Sequence, residues 1–116
     1  MNLLDYHVLL ALSSGPLHGY AIKDAVAEDS GGTQAPLAGT LYRVIARLMT
    51  EGLVRETSGA GGVVHPGHAR RYYTLSAAGR RVLAEQARQL KDAANRAERR
   101  LGASFSGPKS GTSGRS

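Results

Sequence analysis

The chain contains no cysteine, which excludes disulfides, thiolate metal sites and cysteine nucleophiles. That lack fits a reducing interior, although many secreted bacterial proteins share it. A long apolar run is missing too. The N-terminal stretch LLDYHVLLAL is broken by Asp5 and His7 and follows no basic leader, and nothing reaches the roughly 20 apolar residues of a membrane span. No glycine-rich segment has the spacing that cradles a phosphate, and most serines fall in turns or in the C-terminal stretch. No nucleophile is thereby paired with a base, so catalysis is not expected. His65 and His68 stand three apart, with His7 and His18 upstream. Without cysteine or a nearby carboxylate that pair lacks a third ligand within one subunit, and solvated loop histidines are the simpler reading. The expectation is a soluble cytoplasmic protein with no cofactor and no membrane partner.

Acidic charge is scarce in one part of the chain only. Residues 1–38 hold Lys23 against Asp5, Asp24, Glu28 and Asp29, a net of −3, whereas residues 39–116 hold fourteen basic residues against five acids, a net of +9. A basic region of this kind suits a polyanionic partner; the blander alternative is solubility alone. The length of 116 residues fits one domain that buries roughly two-thirds of its unfolded surface.

Residues 2–13 are apolar on nearly every side from Val8 to Leu12 and predict a buried helix. After the turn SSGP, HGYAIKDAVAEDS carries Ile22 and Val26 four apart, with Tyr20, Ala25 and Ala27 around them, and predicts a second helix. GGTQAP ends it. A third helix is predicted from Ala38 to Thr50, stopped by Gly52. LVRET at 53–57 and RRYYTL at 70–75 read as strands, joined by the long glycine-rich loop SGAGGVVHPGHA, which is expected to be mobile. Ser76 then opens a last helix over 76–101, and residues 102–116 have the composition of a flexible tail.

The order helix, helix, helix, strand, loop, strand, long helix is that of a winged helix-turn-helix, a mainly α fold with a two-stranded β-wing. Residues 1–75 form the DNA-binding unit on this reading and 76–101 a dimerisation helix. In the third helix Leu41, Val44, Ile45 and Leu48 share one face, and Thr40, Arg43 and Arg47 the other. A major groove about 12 Å wide admits one helix, so its outward face needs short side chains or basic ones that reach phosphates. Gly39 and Thr40 lie where free backbone N–H groups favour a phosphate, and Tyr42 stands at the edge with a hydroxyl to donate. Arg70 and Arg71 fall at the base of the wing. The competing readings are a solvated face for the arginines, a core flank for Tyr42 and protection of a strand edge for Arg70 and Arg71.

In the last helix Leu83, Ala87, Leu90, Ala94, Ala97 and Leu101 are spaced 4, 3, 4, 3, 4. That is a heptad seam on a helix about 39 Å long, which a second copy of the chain would cover most simply. Leu3 and Leu4 on the first helix are expected to complete the interface, and a homodimer would read a two-fold symmetric site. Packing of the seam on its own domain is the alternative.

LLALSSGPLHGYAIKDAV, GTLYRVIARLMTEGLV and RRYYTLSAAGRRVL resemble, in order and spacing, the PadR family of bacterial transcription regulators, over roughly residues 3–100. The single C-terminal helix is similar to the short subgroup of that family. The resemblance implies a dimeric repressor that binds a pseudo-palindromic double-stranded DNA operator and releases it on a small-molecule inducer. It also implies that Thr40, Tyr42, Arg43 and Arg47 lie on the recognition helix, Arg70 and Arg71 at the wing, and His18 near the DNA backbone. The chain departs from the family where Ser and Pro often precede GTLY: here Leu37 and Ala38 stand, without a side-chain cap. Some relatives line an inter-subunit ligand pocket with tryptophan, and this chain has none. A metal-responsive winged-helix regulator and a winged module for protein contacts are the rival functions.

Overall fold

The computed structural model describes residues 1–57 and 71–102. The glycine-rich loop, with Arg70, His65 and His68, and the tail from residue 103 lie outside the described residues. Among the described residues, four helices and three short strands follow one another: α1 (Leu3–Ala11), β1 (Leu17–His18), α2 (Gly19–Asp29), α3 (Ala38–Thr50), β2 (Val54–Thr57), β3 (Tyr72–Leu75) and α4 (Ala77–Leu101). A single 3-10 turn, Leu12–Ser14, extends α1. Two compact units are present, Met1–Ala84 and the chain from Glu85 onward.

In the first unit the apolar positions that the sequence groups by helical period meet in one core. Val8, Leu9 and Leu12 come from α1 and its extension, Ile22 and Val26 from α2, Leu41, Val44, Ile45 and Leu48 from α3, and Val54, Tyr73 and Leu75 from the sheet. Full burial of an aliphatic side chain of this size stabilises by about 1.5–3 kcal/mol, so these residues are what hold α3 in place. Ala78, Val82 and Leu83 of α4 pack against the same core. Tyr20 is exposed and does not join it.

α3 ends as Gly52 requires. Its φ of 79° is a left-handed value that glycine adopts without steric cost. The Leu53 N–H then reaches the Leu48 carbonyl at 2.9 Å and the Gly52 N–H the Met49 carbonyl at 3.0 Å, the paired bonds of a Schellman motif, closed by the buried Leu48 and Leu53. The chain is thereby turned directly into β2.

The sheet has one strand more than the sequence reading supplies. β2 and β3 pair antiparallel with Val54 opposite Leu75 and Thr57 opposite Tyr72. β1 pairs with the other edge of β3, Leu17 opposite Tyr73 and His18 opposite Tyr72, giving the order β1-β3-β2. The turn after α1 is thus stitched to the wing.

In the second unit α4 continues as one helix to Leu101. From Glu85 on, its residues are exposed apart from the half-buried Gln86 and Ala87. Glu85 there pairs with Arg88 and accepts from Gln89.

Candidate nucleic-acid interface

Three of the helices begin on a side chain that closes their first turn. Asn2 accepts the Asp5 N–H at 2.8 Å and Asp5 accepts the Asn2 N–H at 3.4 Å, a reciprocal capping box. His18 Nδ1 accepts the Ala21 N–H at 3.3 Å. An Nδ1 that accepts leaves the neutral ring's proton on Nε2, which is then a donor. Ser76 Oγ accepts the Gly79 N–H at 2.9 Å. α3 begins on Leu37, which is 78% exposed and offers no side-chain acceptor.

The outward face of α3 starts from this open turn. Gly39, Tyr42, Arg43 and Ala46 are exposed and Thr40 is half-exposed. Arg43 donates to the Thr40 hydroxyl at 3.3 Å, which leaves the guanidinium charge unneutralised. The Tyr42 ring leans on α2: a Cβ at Gly19 would stand 2.0 Å from the Tyr42 hydroxyl and 2.5 Å from Cζ. Gly19 therefore makes room for the aromatic ring, and the HGY and GTLY segments meet in space. Beside them His18 lies edge-on to Tyr72 of β3, with ring centroids 5.7 Å apart. His18, Thr40, Tyr42 and Arg43 thus belong to one connected region that includes the base of the wing.

Arg47 is held differently from Arg43. Its Nη2 donates to Asp5 Oδ1 at 2.5 Å and its Nη1 to Glu51 Oε2 at 3.3 Å. The hydrogen bond donated to Asp5, then the Asp5 charge, raise the Arg47 pKa further above its already high ordinary value. At the wing, Arg71 is well exposed and lies 3.7 Å from Glu56, a loose surface pair worth little. Tyr73, opposite Glu56 in the sheet, is buried, and that burial, followed by the Glu56 carboxylate, raises its phenol above the usual tyrosine range.

Of the positions expected at a dimer interface, Leu4 and Leu83 pack against the core of their own chain. Leu3, Leu90 and Leu101 are exposed, Ala94 and Ala97 likewise, and Ala87 is half-buried. Among the described residues no group of three His, Asp or Glu side chains is placed to hold a metal ion, and no helix is long and apolar enough to cross a membrane.

A Streptomyces fradiae protein, the uncharacterized 37.1 kDa protein in transposon TN4556, is 40% identical over 83 residues, which is 72% of this chain and 21% of the relative. The chain thus spans about a fifth of that curated relative. A PadR family transcriptional regulator from Eggerthella lenta is 30% identical with a TM-score of 0.64, over 83% of this chain and 81% of that one. A PadR family transcription regulator from Clostridium difficile has a TM-score of 0.72 at 21% identity, over 87% and 100% of the two chains. Bacillus subtilis PadR in complex with operator DNA has a TM-score of 0.61 at 25% identity, over 73% and 46%. The model of the transcriptional regulator PadR-like family matches residues 8–85, the span that holds the core, α2, α3 and the wing strands, and the chain belongs to that family of transcriptional regulators, which are not enzymes.

Proposed function

We propose that this chain is a DNA-binding repressor that acts as a homodimer on a pseudo-palindromic operator and is released by a small-molecule inducer. The outward face of α3 is the observation that carries the reading. Its buried side is fixed by four core residues, while Thr40 and an Arg43 with no acidic partner among the described residues stand next to a helix start without a side-chain cap. A helix N-terminus of this kind attracts phosphate through its N–H groups and dipole, and Arg43 lies about one turn further on, at the reach of a phosphate and of the base edge beside it. Tyr42, and His18 through Nε2, are positioned at the flank to donate to the backbone. Arg70 and Arg71 would follow the phosphates from the wing. The Bacillus subtilis relative, in complex with operator DNA, supports the same use of the fold.

The dimer would use Ala87, Leu90, Ala94, Ala97 and Leu101, a seam on α4 that water solvates poorly and a second α4 would cover, and, on the first unit, Leu3, Leu4 and Leu83 as further interface positions.

The test is a gel-shift titration at several salt concentrations. Arg43→Ala should lower affinity for the selected duplex far more than it alters the melting temperature. Arg70→Ala and Arg71→Ala should weaken binding across sequences and flatten the salt slope by about 0.9 per lost phosphate contact. Unchanged affinity in all three sinks the reading. Leu90→Asp should sediment as a monomer; a surviving dimer places the interface elsewhere.

A further inference from the structure

Among the described residues, Asp5 is the one charged side chain in the buried interior, with 3% of its surface exposed. A carboxylate in that position needs a cation and hydrogen bonds, because an unpaired buried charge costs several kcal/mol. Asn2 supplies a backbone N–H, and the cation comes from 42 residues away, from Arg47 on the outward face of α3. The sequence spacing groups Arg47 with Arg43, but the structure turns its guanidinium back toward α1. Glu51 takes a second nitrogen of the same group, so the arginine is bracketed by two carboxylates. Two anions around one cation leave a net negative charge there, which repels phosphate.

Apolar packing holds α3 on the core but has little directionality. A charge-assisted hydrogen bond from a rigid guanidinium does, and it fixes both the rotation and the axial position of the helix that bears it. We propose that Arg47 is a positioning residue that clamps the recognition helix onto α1 through Asp5, and is not itself a DNA contact. The proposal rests on the DNA-binding reading above. It makes a prediction that simple electrostatics reverses: removing the Asp5 charge makes the protein more basic, yet should loosen specific binding.

The experiment uses the full chain, with a duplex that the wild-type protein selects from a randomised pool and poly(dI-dC) as non-specific DNA. Wild type, Asp5→Asn, Arg47→Met, the double variant Asp5→Asn/Arg47→Met and Arg43→Ala are titrated at several salt concentrations, and their urea midpoints are measured. Asp5→Asn should lower affinity for the selected duplex by about tenfold, a change of roughly 1.4 kcal/mol, while poly(dI-dC) binding stays equal or tightens. Arg47→Met should weaken selected binding with an unchanged salt slope, whereas Arg43→Ala loses about one phosphate's worth of slope. The double variant has neither charge of the pair, so its urea midpoint should lie above that of Arg47→Met. It should fold even where that single variant does not, and it reads the salt slope without Arg47. Tighter selected binding with a steeper slope in Asp5→Asn, or a slope reduced by about one in either Arg47→Met protein, overturns the clamp. A wild-type protein that selects no duplex overturns the DNA-binding reading itself, and the two failures are thereby told apart.

Discussion

The side chains of Asn2, His18 and Ser76 each accept an N–H of the helix that follows them, at 2.8, 3.3 and 2.9 Å, whereas the Leu37 side chain at the head of α3 has no acceptor. The capped starts are also the ones bound into the chain. Asp5 of the first box is buried, the His18 cap lies between α2 and the wing, and Ser76 Oγ additionally donates to the Gly52 carbonyl at 2.6 Å. The uncapped start lies at the surface beside an exposed Leu37 and Gly39. A helix whose first turn is tied to other parts of the chain has N–H groups satisfied by that chain. One that opens on solvent keeps them free for an anion.

The tightest of the capped starts is that of α4, and breaking it should have the largest effect. A Cβ at Gly79 would stand 2.1 Å from the Leu53 carbonyl oxygen and 3.0 Å from its carbon. Those are backbone atoms, and the same oxygen accepts the Ser76 N–H at 3.0 Å, so nothing there yields cheaply. Gly79→Ala should cost about 3 kcal/mol, read as a lower urea midpoint at unchanged m. Gly19→Ala is the contrast. Its new methyl meets the far end of Tyr42, an exposed ring that is able to swing away. The cost there should stay below about 1 kcal/mol, with the loss appearing in DNA affinity instead. Equal destabilisation by the two would show that Tyr42 is locked as firmly as backbone.

Next in size is Ser76→Ala. It removes the acceptor for Gly79 and the bond to the Gly52 carbonyl that ties the start of α4 to the end of α3. A lost cap of this kind costs about 1–2 kcal/mol. His18→Ala should cost about 1 kcal/mol, because its single acceptor bond is longer and the edge contact with Tyr72 adds only a little. Asn in place of His18 restores an acceptor, so recovered stability without recovered DNA affinity would separate the cap from a contact made by Nε2.

These contrasts also mark what the sequence made legible. The helices, the inward face of α3 and the roles of Gly52 and Ser76 follow from local rules: a 3.6-residue period, a glycine for a left-handed turn, a hydroxyl before a helix. β1 does not, since two residues after Gly15-Pro16 become a strand only by pairing with Tyr72 and Tyr73, more than fifty positions later. Arg43 and Arg47 are the same residue type, four apart on one face, and periodicity treats them alike. What distinguishes them is Asp5, a partner on another helix. The available signal was an acid three residues after Asn2 inside an apolar run, which announces both a cap and a charge in need of a cation. The fit of Tyr42 over Gly19 is equally non-local.

The smallest expected effect bears most directly on α3. Leu37 has φ −71° and ψ 156°, the extended geometry in which a serine side chain caps a helix. Leu37→Ser should therefore place a hydroxyl within reach of the N–H groups of Gly39 or Thr40 and stabilise the chain by about 0.5–1 kcal/mol. The same hydroxyl would compete with a phosphate for those donors, so operator affinity should fall modestly at low salt while the slope changes by less than one contact. A gain in stability with unchanged affinity would place the phosphate on Arg43 and Thr40 side chains alone. No gain at all would show that water already satisfies this turn as well as a hydroxyl does, and a start so well hydrated would draw an anion only weakly.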